Sequence, residues 1–182
     1  GQGNDKTFID GGSVSPFLKS VSGDTALTLI NISFINGKSN TGSMINCGGN
    51  LTVDNCVFEN NYATGSQGAI VSKGMDLKVT NSVFKNNKAS NQGPDICFNN
   101  NNGNVYIGNS SFYNATNTGY SCGASVYIYN SKNAKITGNT FKDIVGNYND
   151  AALQISSGNG QIMYLLIVLI PILILVIGLN ME

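Results

Sequence analysis

The sequence predicts an all-β fold: a single-stranded right-handed parallel β-helix of about five to six coils, followed by a C-terminal transmembrane helix. Three observations carry the prediction. Five gapless repeats each end on a phenylalanine, a second apolar stretch trails each phenylalanine at a nearly constant lag, and an unbroken apolar run lies near the end of the 182-residue chain.

Positions 1–26 hold one incomplete unit, Phe17-Leu18, leading to Leu27. The chain opens on Gly1 and shows no signal peptide, so it reads as the C-terminal part of something longer. Positions 27–157 hold the repeats: LTLINISF from Leu27, LTVDNCVF from Leu51, LKVTNSVF from Leu77, VYIGNSSF from Val105 and AKITGNTF from Ala134. Their terminal Phe34, Phe58, Phe84, Phe112 and Phe141 recur at an interval that lengthens slowly from one unit to the next. The trailing stretches centre on Ile45, Ile70, Ile96, Val126 and Leu153, each 11–14 residues after its phenylalanine.

Within a unit the apolar residues alternate with polar ones, the period of a strand rather than a helix. The linkers are Asn, Gly and Ser, which accept turn and left-handed conformations. Fixed strand cores with variable linkers mean that equivalent strands stack about 4.8 Å apart while insertions bulge from the loops. Four columns follow. Leu27, Leu51, Leu77, Val105 and Ala134 form one, and Leu29, Val53, Val79, Ile107 and Ile136 a second. The five phenylalanines form a stacked third. Asn31, Asn55, Asn81 and Asn109, broken by Gly138, form a fourth, in which each amide is expected to bond its equivalent in the next coil.

The segments FENN at Phe58–Asn61 and FKNN at Phe84–Asn87, with QGAI at Gln67–Ile70, resemble the FxxN and GGA[ILV] motifs of polymorphic outer-membrane-protein-type repeats. Similar repeats occur in the adhesin-like surface proteins of methanogenic archaea. The resemblance covers positions 27–157 and implies a β-helical, surface-displayed, adhesin-like rod. FINGK at Phe34 and FYNAT at Phe112 lack the second Asn, a full Gly-Gly-Ala is missing, and CGAS at Cys122–Ser125 matches only in part. No autotransporter-like barrel follows the repeats.

Positions 158–182 form the expected membrane anchor. From Ile162 to Leu179, 16 of 18 positions are apolar and none is charged. As a helix this run measures about 27 Å, near the roughly 30 Å of a hydrocarbon core. Its apolarity on every face disfavours a soluble amphipathic helix, and Pro171 is tolerated in a spanning helix. Flanking charge does not set orientation, since no lysine follows Lys142. An extracellular β-helix is what the resemblance and composition imply.

Of the cysteines, Cys47 and Cys97 fall two coils apart, beyond disulfide reach. Cys56 shares a small inward column with Ile32, Ser82 and Ser110. Buried thiols are the expectation, with a Cys97–Cys122 or Cys47–Cys56 bridge left open. The chain has no histidine and no CxxC, so neither a zinc site nor imidazole chemistry is expected.

Charge narrows the function. Ten lysines balance ten acids and arginine is absent, which gives no basic face for nucleic acid. Many β-helices cleave polysaccharides, and glycoside hydrolysis uses two carboxylates about 5–10 Å apart. Here Asp54, Glu59, Asp76, Asp95, Asp143 and Asp150 fall about one per coil, and the column of Asp54 otherwise holds Ile30, Thr80, Gly108 and Thr137. The reading is therefore a non-enzymatic, cofactor-free protein at the cell surface, anchored through positions 162–179, whose rigid polar face binds a glycan or a cell-surface protein. The competing readings are a fragment of a polysaccharide-active enzyme with its catalytic coils upstream, and a purely structural spacer. The candidate contacts are Tyr106, Tyr113, Tyr120, Tyr127 and Tyr129, which crowd into the fourth coil and its loops.

Overall fold

The computed structural model describes residues 1–19, 25–40, 43–65, 67–100, 102–119, 125–147, 152–156 and 161–169. The chain winds through four faces per coil. The first face stacks Leu27–Ile30, Leu51–Asp54, Asp76–Thr80, Asn104–Gly108 and the start of Asn133–Lys142. The second stacks Phe8–Asp10, Ser33–Ile35, Val57–Glu59, Val83–Lys85, Ser111–Tyr113 and the end of Asn133–Lys142. Two-residue strands form the third face, from Lys38–Ser39 to Val145–Gly146. The fourth runs from Leu18–Lys19 through Ile45–Cys47, Ile70–Ser72, Ile96–Asn99 and Val126–Tyr129 to Leu153–Ser156. Every pairing among the described strands is parallel, and they join into sheets of eleven, six and five members.

The register matches the repeat alignment residue for residue. Leu27, Leu51, Leu77, Val105 and Ala134 are partners in turn, as are Ile30, Asp54, Thr80, Gly108 and Thr137. Ile45, Ile70, Ile96, Val126 and Leu153 form the equivalent column on the fourth face. Inside, the five phenylalanines are at most 1% exposed. Their rings are nearly parallel, 7–12° apart, with centroids 4.7–5.0 Å apart. That spacing is both the coil pitch and the range in which offset-parallel rings attract. The stack ends at Phe17, whose ring tilts by 54° over Phe34.

The bends explain the asparagines differently from the expected ladder. Asn31, Asn55, Asn81 and Asn109 have φ between 49° and 57°, and Gly138 has φ 65°. This left-handed region tolerates Asn and favours Gly, so backbone conformation selects the column and Gly138 is its natural substitute. The amide rung is present between Asn31 and Asn55, at 2.7 Å. Asn81 instead donates to the Asp54 carboxylate at 2.8 Å. A second left-handed column follows the second face: Asn36, Asn60, Asn86, Asn114 and Asp143. There the rungs Asn86–Asn60 and Asn114–Asn86 close at 3.1 and 3.0 Å.

The last Asn of each FxxN motif lies inside. Asn61 and Asn87 are 1% and 0% exposed. The Asn87 side chain accepts from the Asn61 backbone N–H and side-chain amide, both at 3.0 Å, and donates to the Phe58 carbonyl at 2.9 Å. Asn61 in turn donates to Phe34 O at 3.2 Å and accepts from Gly37 N at 2.8 Å. These amides satisfy backbone groups that the bend removes from the strand ladder. Asn87→Ala is expected to cost about 1–3 kcal/mol, because it leaves buried groups unpaired; the midpoint of urea unfolding checks this. The Cys56 column is also inward: Ser82 and Ser110 hydroxyls accept from Cys56 N and Ser82 N, each at 3.1 Å. Cys47 and Cys56 are buried free thiols, and burial pushes the Cys56 thiol up. Cys122 lies outside the described residues.

The C-terminal run departs from the expected helix over its described part. Gln161–Leu169 is a strand, paired in parallel with Asn133–Lys142, with register shifts between Ala134 and Lys135 and between Thr137 and Asn139. An apolar run has no period that separates a buried strand from a helix. Here the edge of the last coil offers unpaired backbone groups, which a strand satisfies directly. Among the described residues no helix is long and apolar enough to cross a membrane. Positions 170–182 of the expected anchor lie outside the described residues.

Candidate functional site

The five tyrosines do not form one cluster. Tyr106 lies on the first face and Tyr113 on the second. Tyr106 is flanked in register by Lys78 and Lys135, and Tyr113 by Lys85 and Lys142. Lys135 Nζ lies 5.7 Å from the Tyr106 ring centroid, and Lys88 on the third face lies 4.9 Å from that of Tyr62. Tyr106 and Tyr113 each separate two lysines of a column, and a ring there offers a π face to a cation. Lys85 pairs on its other side with Glu59, at 3.0 Å. These arrangements account for Tyr106 and Tyr113 as parts of the charge-spacing pattern. Tyr120 lies outside the described residues.

Tyr127 and Tyr129 do come together, on the outside of the fourth face. Their rings are 14° from parallel with centroids 6.0 Å apart. Tyr127 packs with Val71 and Cys97 in a small apolar cluster outside the main core, while Tyr129 is 39% exposed. The linkers between third and fourth faces pass beside them. Gln67 and Gln92 in two of these linkers form an isolated parallel bridge, and Gln67 Nε2 donates to Gln92 Oε1 at 3.5 Å, the outer limit of a hydrogen bond. Together Gln67, Gln92, Cys97, Asn99, Tyr127 and Tyr129 line a trough of about 340 Å³ with, among the described residues, no charged side chain in its wall. Sequence reasoning finds the tyrosines and misses Gln67, Gln92 and Asn99. Their one common signal is a place in or beside the variable linkers.

A depression of about 380 Å³ on the first face, around Lys78, Tyr106 and Lys135, is a weaker candidate. Its amides are already engaged along the column: Asn104 donates to Asp76 at 2.9 Å and Asn133 donates to Asn104 at 2.8 Å.

Beneath the trough lies a residue that sequence reasoning passes over. Asp95, one of six acids scattered through the repeats, is fully buried. It takes the place held by Met44, Ala69 and Ser125 in other coils, one residue before the Ile45 column, and those three are at most 1% exposed. Its carboxylate accepts from Asn87 Nδ2 at 2.8 Å and from Ser125 Oγ at 2.5 Å. Desolvation dominates these two bonds and pushes the carboxyl up to about 7. Asp54 shows the opposite case. Bonds from Thr80 and Asn81 hold its carboxyl below the usual range. Because folded Asp95 holds its proton more tightly than the unfolded chain, its contribution to stability is complete below pH 3.8 and is lost as pH rises to about 7. Asp95→Asn is expected to remove most of that fall, as read from thermal midpoints at pH 4.5 and pH 8. Among the described residues no group of three His, Cys, Asp or Glu side chains converges as a metal site would require.

A profile described as a right-handed β-helix region matches residues 19–163, well over half of the chain. The chain belongs to the right-handed β-helix family. The match fixes the hand of the coil and takes in all five repeats together with the start of the last strand. No curated protein and no solved structure matches this β-helix.

Proposed function

We propose that this β-helix is a non-catalytic, adhesin-like binding protein displayed at the cell surface, and that its fourth-face trough takes a neutral glycan. The observation that carries the reading is the Tyr127–Tyr129 pair beside three side-chain amides in an uncharged wall. An exposed ring such as Tyr129 offers an apolar platform to a sugar face. Amides of Gln67, Gln92 and Asn99 supply donors and acceptors to hydroxyls without the desolvation cost of a charge. A uronic acid would find no cation there. Because Cys97, Asn99, Tyr127 and Tyr129 sit on stacked strands, that wall of the trough is preorganised, which reduces the entropy lost on binding.

Display at the cell surface, with membrane attachment through the apolar run that ends at Leu179, is part of the same proposal. It rests on the apolarity of that run and its lack of charge and not on a spanning helix, because Gln161–Leu169 is a strand. Protease shaving of intact cells is expected to remove the repeats while leaving a membrane-bound remnant.

A glycan array probed with the full chain tests the binding reading. The expected result is selective capture of neutral glycans, weakened at least tenfold by Tyr129→Ala, which removes the platform without touching the buried core. Capture of acidic glycans alone, or binding unaffected by Tyr129→Ala, would overturn the assignment of the trough. Cleavage of any array glycan would overturn the non-catalytic reading.

A further inference from the structure

The coil gains no packing advantage from a carboxyl at position 95. The same column is filled by Met44, Ala69 and Ser125 elsewhere, all uncharged and all buried. A buried carboxyl without a cation is costly when ionised, so its location needs an account. That location is the junction of the two segments that build the trough. Gln92, Gly93 and Pro94 immediately precede Asp95, and Cys97 and Asn99 follow it on the fourth face. Gly93 O and Pro94 O accept from Gly68 N and Ala69 N at 3.2 and 2.8 Å, which ties this segment to the linker of Gln67. On the other side, Asp95 N and Ile96 N both donate to Ser125 O, at 3.0 and 3.2 Å, and the Ser125 hydroxyl closes on the Asp95 carboxylate. Ser125 leads directly into Val126–Tyr129, the strand that carries both trough tyrosines.

Among the described residues, no charge faces the carboxylate from any element packed against it. Asn87 meets it from the third-face bend, Ala69 lies in the coil on one side and Ser125 in the coil on the other. The titratable groups nearest along these strands look elsewhere. Lys85 is exposed, Lys88 lies over Tyr62, and Cys97 and Tyr127 belong to the cluster outside the fourth face.

We infer that Asp95 is a proton-operated latch beneath the trough: neutral, it sits in the dry coil and leaves the Gln92 linker, Ser125, Tyr127, Tyr129 and the amides in register, and ionised, it keeps its two donors but draws water into the coil and loosens that junction. The inference rests on the reading of the trough as a binding site, but the latch itself can be observed without any ligand. Ionisation inside the coil leaves a charge that Asn87 and Ser125 solvate only in part, and the remainder is met by water. The linkers give way first, since the stacked strands on either side are held by ladders of backbone bonds. The trough is thus complete in mildly acidic surroundings and loosened in alkaline ones.

Backbone amide exchange on the full chain, corrected for the intrinsic pH dependence, reads the latch. Protection of the Asp95 and Ile96 amides is expected to fall at least tenfold between pH 5.5 and pH 8.5. The Val83 and Asn86 amides, bonded to Cys56 O and Tyr113 O on the second face, serve as the reference and are expected to change less. Asp95→Asn is expected to abolish the difference. Asp95→Ala, which copies the residue at Ala69, provides a second neutral variant should the first fail to fold. Equal changes at both sets of amides, or a differential fall that persists in the neutral variant, would overturn the latch. Affinity for the neutral glycan captured on the array should then fall over the same pH range in the wild type alone. If the exchange behaves as expected and no glycan binds, the latch stands and the binding reading fails. If a glycan binds with an affinity independent of pH, the latch is overturned and the binding reading stands.

Discussion

Phe84→Ala is expected to destabilise the coil stack by about 4–8 kcal/mol, as read from the midpoint and slope of urea unfolding. The ring is 0% exposed and stands between Phe58 and Phe112, at 4.8 and 4.9 Å. Truncating a buried phenylalanine costs about 3–5 kcal/mol through lost transfer energy and the cavity left behind. Two ring pairs, each worth about 0.5–1.5 kcal/mol, are lost as well. The cavity has little prospect of collapse, because backbone ladders around the coil fix the distance between neighbours. Phe84→Leu refills most of the volume, and its cost should be well under half. A loss below about 2 kcal/mol for Phe84→Ala, short of the usual cost of emptying such a site, would mean that the rings fill space without supporting one another.

The second large effect is steric. Gly68→Ala places a Cβ 1.8 Å from the Pro94 carbonyl oxygen and 2.2 Å from its carbon, both backbone atoms that cannot rotate away. Relief requires neighbouring coils to part, which breaks the bonds from Gly68 N to Gly93 O and from Ala69 N to Pro94 O. The cost should exceed about 4 kcal/mol, the range reserved for severe local disruption. Since Gly68 lies beside Gln67, binding at the trough should fail together with folding. The glycine of the QGAI segment is therefore required locally, by the close approach of the Pro94 carbonyl, and the Ala69 and Ile70 that follow are core residues 1% and 0% exposed. A Gly68→Ala chain that melted within a few degrees of wild type would show that the coils can part cheaply at this bend.

The fold is legible because a solenoid writes its geometry into the sequence as a register. Phe34 to Phe141 recur with a slowly lengthening period, and aligning them is enough to place Leu27 over Leu51 and Ile45 over Ile70. The site is less legible, for reasons that particular residues make plain. Tyr106, Tyr113, Tyr127 and Tyr129 are close in sequence, but a coil turns through four faces within that distance and scatters them. Asp95 resembles the other five acids dispersed through the repeats. Its burial depends on where the third-face bend ends, and linkers of unequal length hide that point from an alignment. Asn31 and its equivalents group correctly by spacing, but spacing alone suggests stacked amides where positive φ is the stronger reason. The run after Gln161 is apolar at nearly every step and carries no period to decide between strand and helix.

The direction of the backbone bonds has a mechanical consequence. Nearly all of the N–H to carbonyl ladders join one coil to the next, so they point along the rod and not across it. A pull between the two ends would load the bonds of one interface at a time and peel the solenoid, where a sheared sheet would resist with many bonds at once. Each peeled coil, the stretch from one stacked phenylalanine to the next, would add roughly 80–100 Å of extended chain. Under tension such a rod would yield at modest force in a series of steps of similar length, dissipating load as it lengthens and keeping its remaining coils intact.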